Sequence, residues 1–134
     1  MEVYKSKYLH LAFFAEQELI EMTWLPSTDN MTEEEYKQEF LNYLDIILKV
    51  RPKKIIADTR NMFFSIVPEL QEWTNQTIFP ASLEMGLNKA AFVLSQEMIP
   101  QMSIEQTMEE HEGVKFTTRY FDDKEDAKEW LLSL

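Results

Sequence analysis

Two residues of opposite charge follow a short apolar run. Asp58 ends the segment Lys54–Asp58, and Arg60 comes two positions later. The run predicts a buried strand, and the carboxyl ends of strands form the usual binding edge of an open α/β sheet. Asp58 could contact a ligand or partner there, but a carboxylate in this place can also accept backbone N–H groups and shape the turn. Arg60 could pair with Asp58, bind an anionic group or remain solvated, and the sequence leaves these alternatives open.

The connection after Arg60 is apolar, where surface loops are ordinarily polar. It spans residues 62–67 and leads into Pro68. Exposed apolar side chains mark contacts with proteins, ligands or membranes, and methionine repacks easily. The alternative is that these side chains cover the strand ends inside the core, and the sequence does not decide between the two. The predicted binding surface comprises Asp58, Arg60, Met62, Phe63, Phe64, Trp73, Met98 and Met102, with Ile99 beside them.

The residue types that most catalytic and metal chemistry requires are scarce. The chain has no cysteine, which excludes thiol catalysis, disulfides and thiolate metal sites. His10 lies in an alternating strand and His111 on an acidic helix, so they do not form a pair at ligand spacing for zinc. The isolated glycines Gly86 and Gly113 exclude a glycine-rich nucleotide loop. We therefore predict no catalytic residue, no cofactor, no metal and no enzymatic activity.

Composition narrows the class of partner. The chain has 134 residues, which predicts one domain over 1–134, and a formal net charge of -11. An acidic protein is repelled by nucleic acid and by anionic membrane surfaces. No basic segment leads into a long apolar run at the start, and every apolar run is shorter than the ~20 residues that span a bilayer. These features, with the absence of cysteine, predict a cytoplasmic protein without a membrane span.

Hydrophobic periodicity predicts alternating strands and helices. Apolar segments at 8–14 and 19–25 flank a polar connection, which predicts an antiparallel hairpin. The remaining predicted elements are a helix over 32–51, a strand over 54–58, a helix from Pro68 that Pro80 breaks or restarts, strands over 89–95 and 114–121, and helices over 103–112 and 123–134. The order ββαβαβαβα predicts a single-domain α/β fold, in which a mixed, mainly parallel sheet carries an N-terminal hairpin and right-handed crossover helices.

The helix over 32–51 has the clearest signals in the sequence. Thr32 and Glu35 have the spacing of a capping box, and Pro52 stops the helix after Arg51. Apolar residues recur at helical spacing and predict one buried stripe. That stripe comprises Tyr36, Phe40, Tyr43, Leu44, Ile47 and Leu48.

Four segments carry a resemblance to a known family: 55–60, 68–73, 91–93 and 121–131. With these segments the chain resembles the STAS-like superfamily, which includes anti-sigma-factor antagonists and the tails of sulfate transporters. It is most similar to small stand-alone bacterial proteins of the STAS/SEC14 type. The STAS-related side of this resemblance implies a protein-binding module, and the SEC14-like side implies a site for an apolar ligand.

The resemblance also implies where a regulatory switch would lie. Switching members of the superfamily carry a phosphorylatable serine at the start of the helix after the central strand, where this chain has Val67 and Pro68. Ser65 is nearby but lacks the Asp-Ser-Ser-Gly setting of that site. We predict a non-enzymatic interaction or regulatory module without this switch, acting through a protein partner or self-association. The alternative is a small apolar-ligand or lipid-binding module.

Overall fold

A mixed six-stranded sheet forms the centre of the protein. The structure, a computed structural model, describes residues 1–95 and 117–133. In spatial and sequence order the strands are β1 (Glu2–Lys5), β2 (Leu9–Phe14), β3 (Leu19–Trp24), β4 (Lys54–Asp58), β5 (Lys89–Val93) and β6 (Thr117–Phe121). The β1, β2 and β3 strands pair antiparallel, whereas β3, β4, β5 and β6 pair in parallel. The predicted α/β fold with an N-terminal hairpin is confirmed.

Helices cover both faces of the sheet. The α1 helix (Glu33–Val50) joins β3 to β4, while α2 (Pro68–Trp73) and α3 (Phe79–Glu84) lie between β4 and β5. The α4 helix (Lys124–Leu132) follows β6. On β4, Ile55 and Ala57 pack in the cluster with α1 and α2, whereas Ile56 packs in the cluster with α4. A continuous apolar run at β4 is therefore explained by burial on both faces.

The boundaries differ from the prediction at the start of the chain. The hairpin pairs Leu9–Phe14 with Leu19–Trp24 across a 3₁₀ turn, and Glu18 adopts a left-handed φ of 53° where β3 begins. The edge strand β1 was not predicted, because it has only four residues and its pairing is interrupted by a bulge between Glu2 and Tyr4. The helix predicted over 103–112 and the start of the strand predicted from 114 lie outside the described residues.

Of the two predicted roles of Pro80, breaking or restarting its helix, the structure shows the restart. The chain passes from α2 through a π-helical turn (Thr74–Ile78) directly into α3, and both Ile78 and Phe79 keep right-handed helical backbone. Pro80 lies in the first turn of α3, where proline is tolerated because the regular hydrogen-bond ladder does not need its N–H. The wider π-helical turn therefore accommodates the proline without ending the helical run.

The buried face of α1 also departs from the predicted stripe. Leu48 is 50% exposed, so its place in the stripe is wrong, whereas the charged residue Glu39 is only 5% exposed. Glu39 accepts a hydrogen bond of 2.5 Å from the Tyr4 hydroxyl and a short one from the Ser6 hydroxyl. A buried carboxylate is tolerated when hydrogen bonds replace its water, and these donors come from β1 and the turn that follows it.

The capping box of α1 provides a stability test. Thr32 Oγ1 accepts the Glu35 N–H at 3.1 Å, and Glu35 Oε1 accepts the Thr32 N–H at 2.9 Å. We expect Thr32→Ala to lower the free energy of unfolding by about 1 kcal/mol, the usual cost of a lost cap. Urea denaturation measures the change, and Thr32→Ser, which keeps the hydroxyl, is the control. Equal losses in both variants would contradict a role for the cap.

Candidate functional site

The carboxyl ends of the parallel strands meet at one edge of the sheet, which we call the carboxyl edge. The register aligns Asp58 of β4 with Thr23 of β3 on one side and with Val93 of β5 on the other. The loop of residues 59–67, which we call the 59–67 loop, leaves the sheet at this edge and enters α2 at Pro68. The described residues of the predicted binding surface are thus placed around β4, an interior strand of the sheet.

Asp58 and Arg60 form a closed ion pair across the start of this loop. Asp58 Oδ1 accepts the Arg60 backbone N–H at 3.2 Å and Nε–H at 3.0 Å, while Oδ2 accepts from the guanidinium Nη2 at 2.7 Å. Asp58 is 7% exposed. Burial alone would raise the pKa of Asp58, but the hydrogen bonds and charge of Arg60 hold it below its ordinary value. Both residues therefore shape the turn.

Two threonines fix the loop to its neighbours. The Thr59 hydroxyl and backbone N–H both donate to the Val93 carbonyl at 2.9 Å, which joins the start of the loop to β5. Thr28, which is fully buried, accepts the Phe63 N–H at 2.8 Å and donates to the Leu25 carbonyl at 2.7 Å. The sequence analysis missed Thr28, because a Ser-Thr-Asp-Asn cluster between a strand and a helix indicates only a turn.

The apolar connection divides into core and surface. Phe64 stacks on Tyr36 of α1 with ring centroids 5.3 Å apart and an interplanar angle of 20°. Met62 is also half-buried and packs on the core. In contrast, Phe63 is 56% exposed and Ile66 is 37% exposed. Each of the two alternatives thus describes part of the segment: Phe64 and Met62 cover the core, whereas Phe63 and Ile66 face solvent.

Of the remaining apolar residues of the predicted surface, the structure describes Trp73 alone. Trp73 is half-buried against Tyr36, with ring centroids 6.3 Å apart, and the Lys37 ammonium lies 5.5 Å from a Trp73 ring centroid. Met98 and Met102, with Ile99, lie outside the described residues. The structure therefore brings Asp58, Arg60, Met62, Phe63, Phe64 and Trp73 to one region, with Asp58 and Phe64 in supporting positions.

A second charge network, which the sequence analysis missed, joins α4 to the sheet. Glu21 of β3 is 8% exposed. Its Oε1 lies 2.8 Å from Lys124 Nζ, and its Oε2 lies 3.1 Å from Lys128 Nζ. Burial raises the pKa of Glu21, but the two lysines outweigh it and leave the pKa below its ordinary value. Lys124 also acts on Asp58 through its charge. No local pattern reveals this network, because Glu21 and the lysines lie at opposite ends of the chain.

A shallow cleft of about 230 Å³, which no residue of the 59–67 loop lines, lies between the β1–β2 turn and α1. The Tyr8 hydroxyl donates to Glu35 at 2.9 Å, and the Tyr4 and Ser6 hydroxyls donate to Glu39. The carboxylates of Glu35 and Glu39 in this cleft therefore already accept hydrogen bonds from within the protein.

Among residues 1–95 and 117–133, no group of three or more histidine, aspartate or glutamate side chains is placed to hold a metal ion. No helix in this part of the chain is long and apolar enough to cross a membrane.

A family model described as SpoIIAA-like matches residues 11–132. The chain therefore belongs to the SpoIIAA-like family of STAS-like domains, and the predicted resemblance is confirmed. No curated protein and no solved structure matches the chain. Membership supports a regulatory or protein-interaction module as the general class of function.

The two adjacent phenylalanines should differ in their effect on stability. We expect Phe64→Ala to lower the free energy of unfolding by about 2 kcal/mol, less than the ~3–5 kcal/mol of a fully buried phenylalanine because Phe64 is half-buried. Phe63→Ala, at an exposed position, should change it by less than about 0.5 kcal/mol. Urea denaturation of both variants measures the difference, and equal losses would contradict the division of the loop into core and surface.

The Glu21 network should make stability depend on pH. Its folded pKa is lowered, so the stabilisation is present above the unfolded pKa of about 4.3 and is lost as the pH falls through the lower folded value. We expect the free energy of unfolding to fall less steeply below about pH 4 in Glu21→Gln than in the wild type. Urea denaturation at a series of pH values gives the slopes.

The control for this measurement is Asp45→Asn, at an exposed position in the middle of α1, away from the helix N-terminus. Its profile should run parallel to that of the wild type. A Glu21→Gln profile that is also parallel would show that the network does not contribute to acid sensitivity.

Proposed function

We propose that this SpoIIAA-like protein is a non-enzymatic interaction module that binds a protein partner through the exposed part of the 59–67 loop. The observation that carries the proposal is the contrast between neighbouring side chains: Phe64 is stacked into the core, whereas Phe63 and Ile66 are held in solvent. An exposed aromatic residue on a fixed backbone offers contact area at little cost in conformational entropy. Aromatic residues are enriched among those that dominate binding energy at interfaces.

The loop is fixed at several points before any partner arrives. The Asp58–Arg60 ion pair and the Thr59–Val93 hydrogen bonds hold its start, and the Thr28 hydroxyl holds the Phe63 N–H. A preorganised loop loses less freedom on binding than a mobile one. These internal contacts support a docking role for the loop and leave Asp58 and Arg60 as positioning residues.

The packing beneath the loop favours a protein partner over the alternative of an enclosed apolar ligand. Aromatic rings fill the space between α1, β3 and the loop. The ring centroids of Tyr36 and Phe40 are 4.9 Å apart, and those of Phe40 and Trp24 are 5.5 Å apart. Phe64 covers Tyr36 from the loop side. Among the described residues, the apolar side chains of the loop are either packed inside, as Phe64 is, or exposed, as Phe63 is, and the exposed part suits a partner's surface.

We further propose that binding proceeds without the phosphoserine switch of other STAS-like proteins. Val67 is the N-cap of α2 and makes no side-chain capping bond, and Pro68 supplies no N–H for a phosphate at the helix N-terminus. Ser65 is exposed, so burial does not prevent its modification. What disfavours a switch is the missing hydroxyl at the cap together with the loss of one helix N–H donor.

Site-specific photo-crosslinking tests the proposal in the native host. A benzoyl-phenylalanine placed at Phe63 should yield a discrete protein adduct, identified by mass spectrometry, because the ring faces solvent at the proposed interface. Leu48 is the matched control, since it is 50% exposed on α1 and lies away from the loop. An adduct at Phe63 that is no stronger than at Leu48 contradicts the proposal.

Two further results separate the alternatives. Ser65→Ala combined with the probe at Phe63 should leave the adduct unchanged, whereas its loss would restore a role for Ser65. An apolar small molecule that copurifies with the protein, and is lost in Phe63→Ala, would favour the ligand-binding alternative.

A further inference from the structure

Negative charge gathers at the carboxyl edge as a consequence of the fold. Each crossover helix begins where a parallel strand ends, so the N-termini of α1, α2 and α4 lie at this edge. Helix N-termini favour acidic residues because of the helix dipole. The first turns contain Glu33 and Glu34 in α1, Glu69 in α2, and Glu125 and Asp126 in α4.

Four of the acidic residues at this edge lie close in sequence to the fixed points of the 59–67 loop, and we call them the acidic rim: Asp29, Glu33, Glu34 and Glu69. Asp29 adjoins Thr28, whose hydroxyl accepts the Phe63 N–H. Glu69 follows Ile66 by three positions. Every rim residue is exposed, and none has a hydrogen bond or ion pair from its carboxylate within residues 1–95 and 117–133.

Most of the cationic side chains near this edge already form ion pairs with other carboxylates. Arg60 pairs with Asp58, and both Lys124 and Lys128 pair with Glu21. Two lysines that the structure describes at this edge keep a free positive charge: Lys37 on α1, which lies over Trp73, and Lys7 in the β1–β2 turn, which lies over Tyr8 and whose carbonyl accepts the Ser27 hydroxyl. Across the described residues, the surroundings of Phe63 and Ile66 therefore have an excess of negative charge.

Building on the proposed function, we infer that the partner is a basic protein surface, in which an apolar side chain docks on Phe63 and Ile66 while flanking lysine or arginine residues face the acidic rim. Charge complementarity of this kind increases the association rate and makes it sensitive to salt. A second copy of the chain fits poorly, because a two-fold contact through this edge would bring one rim against the other.

Random peptides displayed on phage test this inference directly. Selection uses the immobilised wild-type protein, with counter-selection on the variant Phe63→Ala/Ile66→Ala. We expect the enriched peptides to carry an aromatic or aliphatic residue flanked by lysine or arginine. Synthetic copies should bind the rim variant Asp29→Asn/Glu33→Gln/Glu69→Gln about tenfold more weakly than the wild type, because three surface charge pairs each contribute a modest free energy.

A matched variant controls for overall charge. Glu16→Gln/Asp45→Asn/Glu84→Gln removes the same number of exposed carboxylates away from the loop and should leave peptide affinity unchanged. Equal weakening in both triple variants would show that only net charge matters and would overturn the inference.

The other outcomes separate the inference from the proposed function. Enriched peptides that are neutral or acidic, yet require Phe63, would overturn the basic partner and leave the loop as the binding site. The absence of peptides that distinguish the wild type from Phe63→Ala/Ile66→Ala would contradict both. Self-association in sedimentation experiments that this double variant abolishes would identify a second copy as the occupant and overturn the inference.

Discussion

The ion pair between Asp58 and Arg60 controls how the chain leaves its central strand. β4 is buried on both faces, so its last side chain ends in a region with little water. A carboxylate there requires donors, and Arg60 supplies them from both its backbone and its guanidinium group. Satisfying Asp58 therefore directs the chain into a tight turn, which starts the 59–67 loop beside β5.

The remaining contacts of the loop extend this constraint to the neighbouring elements. Thr59 binds the end of β5, Thr28 binds the middle of the loop, and Phe64 packs on α1. With both the start and the middle of the loop fixed, Phe63 cannot follow Phe64 into the core. Its exposure is therefore a result of the hydrogen bonds around it, and this gives the protein an exposed apolar side chain on a fixed loop.

Local sequence patterns predicted correctly those features that depend on a single short segment of the chain. The Lys54–Asp58 strand and the cap at Thr32 were predicted correctly, since each depends on residues within one short segment. The pairing of Asp58 with Arg60 was foreseen as one of several alternatives for the same reason. Family resemblance added the STAS-like fold, which the family match confirms.

Contacts between distant segments were beyond such patterns. Glu21 meets Lys124 and Lys128 only because α4 packs on β4, β5 and β6 beside β3. Glu39 is buried only because Tyr4 of β1 and Ser6 of the following turn reach it. The difference between two consecutive phenylalanines could not be predicted either, since an irregular loop has no periodicity that assigns side chains to a face.

Backbone dynamics provide the most direct test of the claim that the 59–67 loop is preorganised. Nitrogen-15 relaxation of the free protein should give order parameters of about 0.85 for Asn61, Met62 and Phe63, close to the values of rigid backbone in β4. Such values would show that the ion pair and the Thr28 hydrogen bond hold Phe63 in place before binding. Order parameters below about 0.6 across the loop would contradict this account, because the exposed ring would then belong to a mobile segment.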